Sequence, residues 1–170
     1  MTLEELNRLP DAEARAAFER CCGSRTWAWR MAAGRPYRNR AGMFAAAERV
    51  ADKLKRADWL EAFAHHPRIG DREALREKFA ATAAWAGEEQ RGAATAPEAT
   101  LDALAGGNRE YEEKFGYIFI VCASGKSADE MLELQQGRLA NDPDTELVNA
   151  AREQRAITRL RLDKLLGGPA

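Results

Sequence analysis

Hydrophobic side chains recur along this chain at intervals of three and four residues, which is the spacing of one face of an α-helix. The clearest example lies within residues 40–56, where Phe44, Ala47, Ala51 and Leu54 fall on one stripe. The chain is also rich in Ala, Glu, Arg and Leu, which favour the helical state. The pattern therefore predicts a chain that is mostly helical.

Capping residues and prolines mark the ends of the predicted helices. Thr2 with Glu5, and Ser127 with Glu130, have the spacing of a capping box. A proline disfavours helical geometry in the residue before it, so Pro67 should end the helix that precedes it. We predict a short first helix that ends near residue 10, an apolar piece over 27–32, and helices over 11–21, about 40–56, 59–66 (capped by Asp58), 71–83, 97–115, 128–140 and about 142–166.

Residues 117–123, YIFIVCA, are the only strand-like run in the sequence. A single strand does not make a sheet, so we predict an all-α fold. The expected architecture is one compact domain over residues 1–170, with about eight helices and one buried extended segment at 117–123. The N–H groups of such a segment have no strand to pair with. They pair with other backbone groups or line a ligand pocket.

The sequence Gly125-Lys126-Ser127 after this apolar run has the outline of a phosphate-binding loop. The Walker A pattern needs a glycine five residues before Gly125, and that position is Ile120. No further strands are predicted that would build the parallel sheet of a nucleotide-binding fold. Nucleotide binding is therefore not expected.

Charge and cysteine content exclude several other classes. The net charge is -1, from 26 basic and 27 acidic residues, which gives no electrostatic case for nucleic acid or a membrane surface. No apolar run approaches the roughly 20 residues of a membrane span, and the acidic, amphipathic first twenty residues do not resemble a secretory signal. The three cysteines, Cys21, Cys22 and Cys122, form neither a disulfide framework nor a metal-binding motif. We expect a cytoplasmic protein without a metal.

The only two histidines, His65 and His66, are adjacent and directly precede Pro67. Neighbours on a helix point about 100° apart, so the pair makes a poor metal site. One histidine could cap the end of the helix, or act as a general acid or base fixed at that end. The spacing alone favours the cap. The apolar positions Trp59 and Phe63 place His66 nearer the buried side.

Two further polar features are candidates for a site. Arg161 lies four residues after Ile157 and four before Leu165, so it is in line with apolar residues. A charge in that position needs a buried carboxylate or an anionic ligand, unless its head reaches solvent. The cluster Glu88-Glu89-Gln90 fits the solvated first turn of a helix, which is the common case.

In combination, these segments resemble the 2-oxo-4-hydroxy-4-carboxy-5-ureidoimidazoline (OHCU) decarboxylase family over nearly the whole chain. The matching motifs are HPRIG at 66–70, EEQRGA at 88–93, NREYEEKFGYIFIVCASGKS at 108–127, RLAND at 138–142 and AITRLRLDKLL at 156–166. The resemblance implies an all-helical, cofactor-free carboxy-lyase, often a homodimer. Such an enzyme converts a ureidoimidazoline into (S)-allantoin and CO2 during urate degradation.

The resemblance also implies roles for individual residues. His66 matches the catalytic histidine, whereas His65 matches a variable position. Glu89 matches the carboxylate beside that histidine, and Arg161 matches an arginine at the substrate. The remaining substrate contacts implied are Pro67, Gln90 and the backbone of Phe119, Ile120, Val121, Cys122 and Ala123.

One position departs from the family pattern. Many relatives have a serine three residues before the site glutamate, and this chain has Ala86 there. The loss of a hydroxyl keeps open the alternative of a family member that binds a related ureide or purine metabolite without turning it over. A helical protein–protein adaptor with a capped histidine and no pocket is a separate alternative, which leaves Arg161 on an apolar face without an explanation. Because the histidine, glutamate and arginine are all present, decarboxylation is the expected activity.

Overall fold

The computed structural model describes residues 1–67, 75, 77 and 97–168. The ordered elements in these residues are all helical, and the all-α prediction is confirmed. Within this part of the chain there are eight helices, namely α1 (Leu3–Arg8), α2 (Asp11–Cys22), α3 (Arg25–Ala33), α4 (Arg40–Ala51), α5 (Arg56–Ala64), α6 (Glu98–Phe115), α7 (Ala128–Leu139) and α8 (Pro143–Leu165).

Both predicted capping boxes are present. The Thr2 hydroxyl accepts a hydrogen bond from the Glu5 backbone N–H, and the Glu5 carboxylate accepts from the Thr2 N–H. Ser127 and Glu130 make the same pair of bonds at the start of α7. Each box satisfies two of the four N–H groups that a helix start leaves without an intrahelical partner. Local side chains therefore set where these helices begin.

Three predicted boundaries are wrong. The apolar piece at 27–32 is part of a complete helix, α3, because the Ser24 hydroxyl caps it by accepting from the Trp27 N–H. Helix α4 ends at Ala51 rather than near residue 56. Asp58 is not the cap of α5 but its third residue, where its carboxylate accepts from the Lys55 N–H. The helix predicted over 71–83 lies largely outside the described residues.

Contacts within the chain define two units, Met1–His66 with Asn149–Ala170, and Pro67–Val148. In the first unit, α2, α3 and α5 surround a core of large apolar side chains that includes Phe18, Trp27 and Phe63. Burial of such side chains is the main stabilising contribution of a helical core. The expectation of one domain over residues 1–170 stays a prediction.

In the second unit, α6 and α7 contribute a separate buried cluster that includes Leu101, Leu104 and Met131. Residues 117–123 are neither helix nor strand, and Tyr117, Ile120 and Val121 are buried there. The predicted buried, non-helical segment is therefore present. Among the described residues, no helix has the length and apolar character needed to span a membrane.

Candidate active site

The two histidines lie at the carboxyl end of α5. His65 is the C-cap and is exposed, whereas His66 is half-buried and its backbone N–H donates to the Phe63 carbonyl at 3.1 Å. Pro67 follows directly, and its ring disfavours further helix. The apolar spacing of α5 correctly indicated that His66 is the more buried of the two.

The His66 ring contacts a buried glutamine on α8. His66 Nε2 lies 2.7 Å from Gln154 Oε1. Gln154 has no exposed surface, and its amide nitrogen donates to the Cys22 carbonyl at 3.1 Å and to Thr158 Oγ1 at 3.3 Å. The histidine is thereby tied through one amide to the end of α2. Both partners of this contact, His66 and Gln154, belong to the first unit.

Sequence reasoning missed Gln154. Its signal was a buried stripe on α8 in which every fourth residue has its side chain inside, and this stripe contains polar as well as apolar members: Ala150, Gln154, Thr158 and Leu162. A glutamine inside such a stripe needs hydrogen-bond partners, because an unpaired buried amide is costly. The partners come from α2 and α5, which are distant in sequence.

Arg161 lies on α8 about 10 Å along the helix from Gln154, at 1.5 Å per residue. Its side chain is half-buried, and its Nη1 donates to the Cys21 carbonyl at 3.4 Å. Among the described residues, no carboxylate forms a salt bridge with Arg161. The guanidinium instead lies beside the carboxyl end of α2, whose partial negative charge favours a cation. Of the alternatives that the sequence left open, a buried carboxylate partner is not found among the described residues.

Burial of the neighbouring thiols disfavours their thiolate form. Burial raises the pKa of Cys21 to about 11, although the Arg161 and Arg20 charges oppose the rise. Burial also raises the pKa of Cys22, against hydrogen bonds from the Ser24 backbone and the Thr158 side chain. Because the thiolate is the reactive form, both cysteines are inert in this environment.

In the second unit, side chains hold the backbone of the Phe119–Ala123 segment. Arg138 Nη1 donates to the Ile120 carbonyl at 2.7 Å, and Lys126 Nζ donates to the Cys122 carbonyl at 2.7 Å. In the described part of the chain, the N–H groups of residues 118–121 have no hydrogen-bond acceptor. This arrangement fixes the segment by its carbonyls and leaves N–H groups available to a ligand.

Arg138 is itself held by a buried carboxylate. Arg138 Nη2 lies 2.5 Å from Glu146 Oε1, and Glu146, which has no exposed surface, also accepts from the Tyr111 hydroxyl and from Asn141 Nδ2. Burial by itself would raise the pKa of Glu146, but the hydrogen bonds from Arg138, Tyr111 and Asn141 outweigh it and hold the pKa below its usual value. Sequence reasoning did not identify this cluster.

The structure therefore places His66 against Gln154 of α8, and Arg161 of the same helix against the carboxyl end of α2. Pro67 is exposed and belongs, with Phe119–Ala123, to the second unit. The predicted residues Ala86, Glu89 and Gln90 lie outside the described residues. Within the described ranges, no group of three His, Cys, Asp or Glu side chains is placed to hold a metal ion.

Comparison with known proteins identifies the family to which the chain belongs. A family model described as OHCU decarboxylase matches residues 7–163. The chain belongs to the OHCU decarboxylase family. The match includes both His66 and Arg161.

The named relatives to which the chain is similar include one from Arabidopsis thaliana and one from Amia calva. The chain is 38% identical over 152 residues to the uric acid degradation bifunctional protein TTL of Arabidopsis thaliana, covering 88% of this chain and 46% of that protein. It is 30% identical over 175 residues to the 2-oxo-4-hydroxy-4-carboxy-5-ureidoimidazoline decarboxylase of Amia calva, covering 100% of this chain and 97% of that protein. The chain thus spans about half the length of the Arabidopsis relative.

Two solved structures share the fold. A crystal structure of OHCU decarboxylase in the presence of (S)-allantoin matches with a TM-score of 0.74 and 35% identity, covering 94% of this chain and 99% of that one. A crystal structure of (S)-allantoin synthase matches with a TM-score of 0.70 over 98% of this chain and 54% of that one. At 18% identity, the second likeness shows the fold alone.

Proposed function

We propose that this chain is a carboxy-lyase that converts 2-oxo-4-hydroxy-4-carboxy-5-ureidoimidazoline into (S)-allantoin and CO2 in urate degradation. Membership of the OHCU decarboxylase family supports the reaction. The observation that carries it is that α8 holds both the hydrogen-bond partner of an acid–base group, Gln154 against His66, and a cation, Arg161, that forms no salt bridge with a carboxylate among the described residues. The substrate class is a small anionic ureide.

The substrate contains its own electron acceptor. The carbon that bears the carboxylate also bears a hydroxyl group and adjoins the carbon of a C=N bond. When the bond to CO2 breaks, its electron pair forms a C=C bond with that neighbour, and the C=N nitrogen takes up one proton. The resulting enol becomes the carbonyl of allantoin when the hydroxyl loses its proton and the ureido-bearing carbon gains one. Because the electrons stay within the ring, we propose that no cofactor takes part.

His66 is proposed to move the proton between the hydroxyl and the ureido-bearing carbon. A histidine suits this role because its ordinary pKa lies near neutral pH, so it both accepts and donates a proton under working conditions. Delivery of the proton to one face of the flat enol sets the chirality of the product. Control of the product's handedness is therefore a proposed task of His66, alongside acceleration.

Arg161 is proposed to bind the anionic substrate and to stabilise the charge that moves into the ring as CO2 leaves. The family resemblance assigns Glu89 to work beside the histidine, Gln90 and Pro67 to substrate contacts, and the backbone of Phe119–Ala123 to the ring. The 118–121 N–H groups that lack an acceptor among the described residues support the last assignment. Ala86 occupies the position at which many relatives supply a hydroxyl.

We also propose that the protein is a cytoplasmic homodimer. The three cysteines are free thiols, of which Cys21 and Cys22 are buried, and this supports a reducing compartment. The homodimer rests on the resemblance to the OHCU decarboxylase family. Equilibrium sedimentation would test it, with a single species of one-chain mass, near 18.9 kDa, as the contrary result.

Circular dichroism of the product tests the reaction itself. The substrate is generated from urate immediately before use, and the growth of the (S)-allantoin signal is followed with and without this protein. We expect rapid growth of the signal with the protein and slow, racemic product formation in the blank. Identical time courses would contradict the proposal and favour the alternative, a ureide-binding family member without catalysis, and Ala86→Ser would then be the first reversion to test.

A further inference from the structure

The orientation of the Gln154 amide is fixed by its surroundings. Its nitrogen has two hydrogens, and both have acceptors: the Cys22 carbonyl at 3.1 Å and Thr158 Oγ1 at 3.3 Å. Rotating the amide by half a turn would place Oε1 against the Cys22 carbonyl, so that two acceptors would face each other. The amide oxygen is therefore the end that faces His66.

This orientation determines which nitrogen of the His66 ring carries the hydrogen. Gln154 Oε1 accepts hydrogen bonds and does not donate, so the ring nitrogen 2.7 Å away, Nε2, must be the donor. A neutral imidazole has a hydrogen on only one nitrogen. In the neutral His66 ring, Nδ1 is then the nitrogen with the basic lone pair.

We propose that Gln154 is a positioning residue that holds the His66 ring with its hydrogen on Nε2, so that Nδ1 exchanges protons with the substrate. This inference rests on the proposed decarboxylation and adds to it the reacting atom of the base. Nδ1 accepts the hydroxyl proton of the substrate, and the resulting imidazolium returns that proton to the ureido-bearing carbon. The Nε2–H bond to Gln154 stays intact throughout, and the uncharged amide orients the ring without adding a charge.

The surrounding elements make this arrangement rigid. Gln154 is completely buried on α8, and its bond to Cys22 ties it to the last residue of α2. The next residue, Gly23, has a φ of 87°, and a Cβ placed on it would lie 2.7 Å from His65 Cβ. Only a glycine allows α2 to end this close to the histidine pair. The end of α2 thus contacts both Gln154 and the residue beside His66.

Nitrogen-15 NMR of the full-length chain tests the hydrogen position directly. In a His65→Ala background, His66 is the only histidine, so its two ring nitrogens are assigned without ambiguity. At a pH where the ring is neutral, we expect a pyrrole-like Nε2 and a pyridine-like Nδ1. The reverse pattern would overturn the proposal. This result does not depend on activity, so it decides the inference even if the proposed reaction fails.

Two substitutions separate positioning from simple packing. Gln154→Leu removes the acceptor at similar size, and we expect the ring to lose its single hydrogen position and kcat to fall about 10–100-fold with little change in KM. Gln154→Glu keeps an acceptor but removes both donated bonds. We expect it to retain the hydrogen on Nε2, recover most of the lost kcat and shift the pH–rate profile toward higher pH.

Each outcome is decisive. If Gln154→Leu keeps the wild-type nitrogen pattern and kcat, or if Gln154→Glu is as impaired as Gln154→Leu, the acceptor role is wrong. Gln136→Leu, a matched change at an exposed glutamine of α7, should leave kcat and the nitrogen pattern unchanged. If Gln154→Leu does not fold, the wild-type spectrum and Gln154→Glu still decide between the two ring forms.

Discussion

Two partly buried arginines, one in each unit, have opposite environments. Arg138 in the second unit is 11% exposed and pairs with the fully buried carboxylate of Glu146, which also accepts from Tyr111 and Asn141. Arg161 in the first unit is half-buried and, among the described residues, donates only to the Cys21 carbonyl. The first cation is neutralised by a carboxylate of the same unit, whereas the second forms no salt bridge with any carboxylate among the described residues.

This difference is consistent with a stabilising role for Arg138 and with the proposed ligand-binding role for Arg161. Charges removed from water need a compensating charge or hydrogen bonds. Glu146 and Arg138 compensate each other, and Arg138 uses its remaining capacity to hold the Ile120 carbonyl. Most of the N–H groups of the Arg161 guanidinium have no acceptor in the described part of the chain. The same residue type thus has a structural role in one unit and a proposed binding role in the other.

The largest expected effect on stability comes from Glu146→Gln. The change leaves the Arg138 guanidinium buried without its carboxylate, and breaking a buried pair on one side costs about 3 kcal/mol. Chemical denaturation should therefore show a loss of that size. Glu133→Gln, at an exposed position on α7, should change stability by less than about 0.5 kcal/mol. Equal stability of the two variants would contradict the stabilising role of the Arg138–Glu146 pair.

The same carboxylate predicts a pH dependence. The pKa of Glu146 is lowered in the folded state, so its contribution is complete above the ordinary glutamate pKa of about 4.3. That contribution is lost as the pH falls through the lower, folded-state pKa. Wild-type stability should fall more steeply below about pH 4.3 than that of Glu146→Gln. Parallel stability curves for the two proteins in this range would contradict the assigned role.

Arg161→Lys tests the binding side of the comparison. Lysine keeps the charge but loses the planar fork that can contact the Cys21 carbonyl and an anion at once. We expect kcat/KM for allantoin formation to fall about 100-fold, with unfolding stability nearly unchanged. Arg152→Lys, at an exposed position on the same helix, is the control and should retain full activity. Unimpaired turnover in Arg161→Lys would rule out a planar role.

A smaller effect is expected at the end of α2. Gly23→Ala forces a side chain into a left-handed conformation and against His65, so it should cost about 1–2 kcal/mol and lower activity through the adjacent His66. Gly116→Ala is a matched control, because Gly116 has a φ of 78° but nothing within 4 Å of an added Cβ. The difference in stability loss between the two variants measures the cost of the close approach of residue 23 to His65. Equal costs would indicate that the close approach has no consequence.

Local sequence signals accounted for most of the fold but only part of the site. The capping boxes at Thr2 and Ser127 act within one turn, so their spacing alone located two helix starts. The spacing along α5 indicated that His66 is the more buried of the two histidines, and the position of Arg161 among apolar residues indicated a charge in need of a partner. In each case, the residues that carry the sequence pattern lie on or directly beside the helix whose feature the pattern predicts.

The remaining features depend on contacts between distant segments. Gln154 lies in the buried stripe of α8, but that stripe does not indicate that its partners are Cys22 and His66, which come from distant segments. Glu146 and Arg138 are eight residues apart, but their burial depends on Tyr111 from another helix. The assignments of Glu89 and Gln90, which lie outside the described residues, stay predictions.

The most direct test of the proposed site compares the two adjacent histidines. His66→Ala and His65→Ala are measured side by side for the initial rate and chirality of allantoin formed from freshly generated substrate. We predict that His66→Ala loses about 1,000-fold in rate and gives racemic product, since general acid–base catalysis contributes about that much. His65→Ala should form (S)-allantoin at nearly the wild-type rate. An essential His65 together with a dispensable His66 would contradict the account.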